Sequence, residues 1–404
     1  MDETKYIILH RAAVKRLAET ASSEAGDLSS PTERPPADVV TIESVNERDA
    51  ADIARNPDLV ASPSVPVSLI RPVATNSGAE DDALREAKEK GGSWGVLDVA
   101  PKADEKAGSS VVVAVLDTGI DGEHPAFRGV SLERKNFTRS PHDDDRVGHG
   151  THCAGTIFGR DVNGVRIGVA RGVRRALIGK VLDDEGIGET AAIAQAIQWA
   201  HQQGAQIISL SLGMDFARLV QFHEDLGKVR AEALSIALSA FRDTVRVFDG
   251  LVHSLSMLAV LQRRGVILVA ASGNESARSA AKPYAVDVSL PAAAIGMVST
   301  GAVGRGANGY EIGDFSNTNP QLCAPGVGIV SARRGGELSA MSGTSMATPH
   351  VAGVAALWWE RTMRDNPNAD GELVRRKLLE SCRTSGFVPG VKIVDRGAGL
   401  TQAP

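Results

Sequence analysis

The sequence predicts an α/β fold: a parallel sheet with helices on both faces, preceded by a small N-terminal α+β domain. Three observations carry this. Runs of apolar, largely β-branched residues recur at 109–116, 175–182, 206–212, 266–271 and 297–303, too continuous for strands that face water on one side. Helical patterns at 190–203 and 251–263 separate several of these runs, and strands alternating with helices make a parallel sheet covered on both sides. The 404-residue chain also holds 42 glycines and only 4% aromatic residues, which suits a tightly packed core joined by short loops.

Taken in order, residues 6–10 read as a strand followed by a short basic helical pattern, and 21–37 as a disordered loop rich in Ser, Pro, Glu and Thr. A strand at Val39–Ile42, a polar helix at Glu47–Arg55 and extended Val/Pro-rich segments over 59–73 complete a unit assigned to residues 1–75. Residues 76–93 are polar and charged and predict an exposed linker. The large domain then covers 94–404. Within it, Met214–Gly250 has a helical apolar pattern (Val229, Ala233, Leu234, Ile236, Ala237, Ala240, Phe241, Val245). Such a stripe packs on its own domain, docks a protein partner, or walls the cleft.

The net charge of −5 points to no nucleic-acid partner. No stretch reaches the roughly 20 apolar residues of a membrane helix, so no membrane partner is expected. Met1–Lys5 lacks both the basic start and the apolar run of a secretory signal, so the expected location is cytoplasmic. Three cysteines (Cys153, Cys323, Cys382) cannot all pair and predict free thiols.

Three stretches carry chemistry. The strand at 109–116 ends in Asp117-Thr118-Gly119, where a carboxylate is poorly solvated and suited to orienting a histidine; a turn aspartate is the alternative. Gly148-His149-Gly150-Thr151-His152-Cys153 sets His149 before a small-residue helix. His149 and His152 have spacing for a metal on one helical face, but no acid or cysteine supports it, so no metal is expected. Gly343-Thr344-Ser345-Met346-Ala347-Thr348-Pro349-His350 places Ser345 at the mouth of a helix, where unpaired N–H groups favour negative charge. Pro349 deprives the Ser345 carbonyl of its helical bond, predicting a loose first turn. By itself Ser345 is a nucleophile or an N-cap.

In order and in residue content, the three stretches resemble the subtilisin-like serine proteases (subtilases) over about Trp94 to Leu400. The resemblance implies Asp117 as orienting acid, His149 as general base and acid, and Ser345 as nucleophile. Val269-Ala270-Ala271-Ser272-Gly273-Asn274-Glu275 is similar to the family segment whose asparagine holds the oxyanion, which implies that role for Asn274. A protein or peptide substrate would add as a strand along Ser211-Leu212-Gly213, with Ala271-Ser272-Gly273 lining a pocket for a large apolar side chain. Cys153 resembles the cysteine of the proteinase K branch; the thiol is buried and inert, or touches the triad. No cofactor serves the chemistry. A structural calcium is possible, but the usual site looks incomplete, with Ala126 at the acid position and only Asp161 and Asn163 in loop 159–164. The acid run Asp143-Asp144-Asp145 reads as a solvated loop; the alternative is that it selects basic substrate residues or holds a cation.

The 1–75 unit resembles a subtilase propeptide, which implies that this N-terminal domain assists folding and inhibits the cleft until cut within 74–86. A permanent accessory domain is the alternative. The expected function is a serine endopeptidase acting through an acyl-enzyme and made as a self-processing zymogen. A narrow processing protease acting on one partner, and a non-catalytic peptide-binding scaffold, are the other readings.

Overall fold

The computed structural model describes residues 4–10, 40–73, 77–214, 216–262 and 265–404. The small N-terminal unit pairs strands β1 (Thr4–His10), β2 (Val40–Val45) and β3 (Leu59–Pro63) antiparallel in the order β2-β1-β3. Helix α1 (Glu47–Arg55) crosses between β2 and β3, its first turn capped by Asn46 accepting from the Asp49 N–H. The basic pattern after residue 10 and the loop at 21–37 lie outside the described residues.

From β3 the chain runs into β4 (Pro66–Leu69), which leaves the small unit and adds to the large domain. Residues 77–90, expected as exposed linker, form helix α2 (Ser77–Lys90). Ala83, Leu84 and Ala87 turn one stripe of it onto the main core, a spacing of small apolar residues hidden among charges. Helix α3 (Trp94–Val99) follows.

The central sheet uses β5 (Val112–Asp117), β6 (Ser131–Asn136), β7 (Arg175–Lys180), β9 (Ile207–Leu210), β11 (Ile267–Ala271), β12 (Val298–Gly306), β13 (Gly309–Ile312) and β14 (Leu322–Pro325). Its order is β13-β12-β11-β9-β5-β7-β6, with β14 also on β12; every pair is parallel except β12–β13. Each of the five apolar runs read from the sequence supplies a sheet strand. Their side chains divide between two cores, Val113 and Val115 on one face and Ala114 and Leu116 on the other.

One face carries helices α4 (His149–Phe158) and α8 (Thr344–Asp365); the other carries α5 (Thr190–Gln202) and a long helix α7 (Arg230–Gln262) preceded by α6 (Phe216–Asp225). The apolar pattern at 214–250 is therefore a helical hairpin, and α7 runs straight through the separately expected 251–263 helix. Ala233, Ala237 and Ala240 bury one stripe of α7, whereas Val229 and Leu234 stay exposed. This stripe packs on α6 and on the N-terminal sheet: Ser62 and Thr244 hydroxyls meet at 3.0 Å in a buried contact, and a side chain at Gly250 would collide with Leu9.

Candidate active site

Asp117 ends β5 and His149 opens α4, and close approach of strand end and helix brings them together. A Cβ at Gly150 would collide with the Gly119 carbonyl oxygen, so the second glycine of the histidine stretch is what permits the approach. His149 Nδ1–H donates to Asp117 Oδ1 at 2.8 Å, and both side chains are buried. The Thr118 N–H also donates to Asp117 Oδ1 at 2.8 Å, which fixes the carboxylate plane. Burial is the largest single influence and would lower the His149 pKa, but the charge and hydrogen bond of Asp117 together with the neighbouring Cys153 outweigh it and hold the imidazole well above 6.5.

The third acid of the 143–145 run clasps this pair. Asp145 was expected in a solvated acidic loop, yet it is 2% exposed. Its Oδ1 accepts from the Thr118 hydroxyl (2.8 Å), Val147 N–H (3.0 Å) and Gly148 N–H (2.7 Å). Its Oδ2 accepts from the Thr151 N–H (2.9 Å) and hydroxyl (2.6 Å). One carboxylate so ties the end of β5 to the first turn of α4, where helix N–H groups have no internal partners. Asp143 and Asp144 behave differently, pairing at the surface with Arg134 and Arg146. The only signal of the difference was an acid four residues before His149, at capping distance from a helix start.

Ser345 lies in the first turn of α8. Pro349 does free its carbonyl, but the turn is not loose: the Ser211 hydroxyl (3.1 Å) and the Cys153 thiol (3.5 Å) donate to that oxygen instead. The Ser345 hydroxyl points at main-chain carbonyls, Ile70 at 3.1 Å and Ser211 at 3.4 Å. Among the described residues, His149 Nε2 has no hydrogen-bond partner.

Asn274 follows the Ala271-Ser272-Gly273 turn. Its Oδ1 accepts from the Thr344 N–H (2.9 Å) and hydroxyl (2.8 Å), leaving Nδ2 to donate to the Arg71 carbonyl at 3.1 Å. Gly273 sits at φ +112°, where a side chain would collide with Asn317. Buried Asn317 holds the turn by donating to the Ser272 carbonyl at 3.1 Å and accepting from the Glu275 N–H at 3.1 Å. No sequence pattern singled it out.

The edge read as a substrate site is occupied by the chain itself. Strand β10 (Leu212–Gly213) pairs antiparallel with β4, Leu212 opposite Leu69 and Gly213 opposite Ser68. The other side of β4 pairs with β8 (Ile187–Glu189), so the segment is sandwiched in a three-stranded sheet. Beyond it the Val73 N–H donates to the Ser342 carbonyl at 2.8 Å. The Ile70 side chain is buried: a Cβ on Gly213 would stand 3.2 Å from its Cδ1 and 3.0 Å from the Ser289 hydroxyl. The pocket for a large apolar side chain was expected along Ala271-Ser272-Gly273; Ile70 lies beside Gly213 and Ser289.

The match to known proteins follows the same residues. The family model described as the subtilase family covers residues 108–400. The chain belongs to the subtilase family. It is 32% identical to the M-protease of Shouchella clausii strain KSM-K16 over 318 residues, 77% of this chain and 70% of that protein. It is 32% identical to subtilisin-like protease 6 of Trichophyton tonsurans over 277 residues, 65% of this chain and 57% of that one. Fervidolysin from Fervidobacterium pennivorans, described as a keratinolytic enzyme related to subtilisin, shares the fold. The match has TM-score 0.66 at 21% identity, covering 99% of this chain and 60% of that chain. As a subtilase the chain is a serine endopeptidase, which sets aside the peptide-binding scaffold, and subtilases need no cofactor for their chemistry.

In two places weighed for a cation from the sequence, candidate ligands are already engaged. The calcium loop does not fit a cation: both Asp161 oxygens accept from the Arg171 guanidinium, at 3.0 and 2.9 Å, so a fixed positive charge already sits there. The histidine pair is likewise no metal site. His152 Nε2–H donates to the Ile329 carbonyl at 3.0 Å, and burial lowers its pKa to about 3. The one His/Cys/acid group with metal-like spacing among the described residues is Asp117, His149 and Cys153, the buried cluster built around the Asp117–His149 hydrogen bond.

Cys153 touches the cluster, with Sγ 3.8 Å from His149 Nδ1. Burial pushes the thiol pKa up, so it reacts slowly. A mercurial that reaches Sγ displaces the imidazole. The expected result is slow, stoichiometric loss of peptidase activity in the natural chain and resistance in Cys153→Ala. Unchanged activity after titration of all three free thiols would mark Cys153 as an inert packing residue.

Proposed function

We propose that Asp117, His149 and Ser345 form the triad of a serine endopeptidase and that residues 4–73 inhibit it until the chain cuts itself. The observation that carries the reading is the continuous segment lying through the cleft, with the Ile70 carbonyl at Ser345 and the Arg71 carbonyl at Asn274.

In the reaction, Ser345 turns its hydroxyl to His149 Nε2, which takes the proton as Oγ attacks the carbonyl carbon. The carbonyl oxygen becomes an oxyanion gripped by the Asn274 amide and the Ser345 N–H. His149, now protonated and steadied by Asp117, gives its proton to the leaving amine. Water then repeats the sequence on the acyl-enzyme.

The arrangement described is a resting one. The Ser345 proton is directed at the Ile70 oxygen rather than at His149, and the Asn274 amide grips the carbonyl one residue further along. Attack at Ile70 requires the chain to shift so that its own oxygen enters the amide's reach. The helical state of 77–86 disfavours a cut there, because a substrate strand is extended; residues 74–76 of the expected range lie outside the described residues. The partner that fits the α6–α7 hairpin is the chain's own N-terminal unit.

N-terminal mass analysis tests the reading. Active wild-type protein is expected to have lost its first ~70 residues by a cut beside Ile70, whereas Ser345→Ala remains whole. Active enzyme made only of intact chains would reject self-processing.

A further inference from the structure

Helix α6 stands over the outer face of β4 and encloses a cavity of about 200 Å³ lined by Pro66, Val67, Ser68, Ile187, Arg218, Leu219 and Phe222. Strand geometry says which side chains look into it. Val67 and Leu69 are buried in the core of the catalytic domain, so Pro66 and Ser68 turn to the opposite face. Ser68 is directly opposite Ile187 in antiparallel register, which puts both side chains on that same face. Serine is small, and the cavity is the space it leaves unfilled.

The wall is fixed rather than draped. Leu219 and Val220 are buried in the same core as β4, and Phe216 packs edge-on against Phe241 of α7 with ring centroids 6.1 Å apart. Phe222, 48% exposed, and Ile187, 38% exposed, are large apolar residues left partly in water around the opening. Such a concave apolar space beside a substrate strand selects a side chain.

We infer that the α6 insertion builds a specificity subsite for the third residue before the cut bond, taking a long apolar side chain and rejecting a basic one. The inference rests on the protease reading, with β4 marking the path of the substrate and Ile70 the residue before the cut. The apolar lining from Leu219, Phe222 and Ile187 favours leucine, methionine or phenylalanine there. Arg218, the one charged residue among the described residues that line the space, opposes lysine or arginine.

The test uses the full chain incubated to constant activity and fluorogenic peptides Pro-Val-Xaa-Leu-Ile, copied from 66–70 with Xaa as Ser, Leu or Lys. Expected kcat/KM for Leu is about tenfold above Ser, roughly the effect of burying most of that side chain, and Lys falls below Ser. Phe222→Ala shrinks the Leu advantage to about twofold, and Arg218→Glu raises Lys above Ser; both positions are exposed enough to accept the change. A Leu:Ser:Lys ratio that neither variant moves overturns the subsite. Equal rates on all three peptides, with Ser345 still labelled by a fluorophosphonate, overturn it while leaving the protease reading intact. A chain that neither labels nor cleaves overturns both.

Discussion

Replacing His149 by alanine is expected to lower kcat about 10⁶-fold, the size measured for loss of the corresponding group in subtilisin, a member of this family. The reason lies in how few routes the Ser345 proton has. Its present acceptors are the Ile70 and Ser211 main-chain oxygens, neither of which is a base. His149 Nε2 is buried and has no hydrogen-bond partner among the described residues, so it is the base available to this cluster. The same geometry sets the pH dependence. Asp117, with Cys153 beside it, stabilises the protonated imidazole and raises its pKa above 6.5, so the base form predominates only above that raised pKa. kcat/KM should therefore rise with pH through an ionisation above 6.5, and fall as pH drops through it. Asp117→Asn removes the stabilising charge. The acid limb should move to lower pH while the rate at its plateau drops about 10⁴-fold, because the imidazole loses its tautomer and its support as it charges. A profile whose limb stays in place in Asp117→Asn would assign the ionisation to another group.

Asn274→Ala is expected to cost about 10²–10³ in kcat, or ~2.7–4 kcal/mol of transition-state stabilisation, with little change in KM; that size is again the one known from subtilisin. Preorganisation justifies so large an effect for one amide. Thr344 holds the Asn274 Oδ1 from both its N–H and its hydroxyl, so Nδ2 is aimed before substrate arrives. Asn317 anchors the turn beneath it. The donor meets an oxygen that becomes fully charged only in the tetrahedral state, so its removal acts on turnover rather than binding. A loss that appeared wholly in KM would assign Asn274 to substrate holding alone.

The helical hairpin at 216–262 shows how sequence and tertiary structure divide the explanation. Periodicity disclosed that it was helical, and small residues disclosed which stripe could pack. It could not disclose what lay opposite, because alanines spaced for burial accept any flat apolar surface. Folding supplied the N-terminal sheet on one side and the outer face of β4 on the other. Segment 77–90 was harder still: its three core-facing residues are diluted by charged ones, so the burial that makes it a helix on the core is a tertiary effect.

By itself the sequence determined the parallel α/β sheet and the stretches that carry Asp117, His149, Ser345 and Asn274. Those features are written in residue types needed locally: branched residues for doubly covered strands, glycine where backbones touch, proline where a carbonyl must be freed. Only the tertiary structure decided that Asp145 ties Thr118 to the first turn of α4 rather than meeting water, that Arg171 pairs with Asp161 in the loop weighed for calcium, and that the chain's own residues 66–73 lie along the Leu212–Gly213 edge and at Ser345. Each of those depends on groups far apart in the chain, whose meeting is governed by how the elements pack and leaves no periodic trace in either partner's neighbourhood.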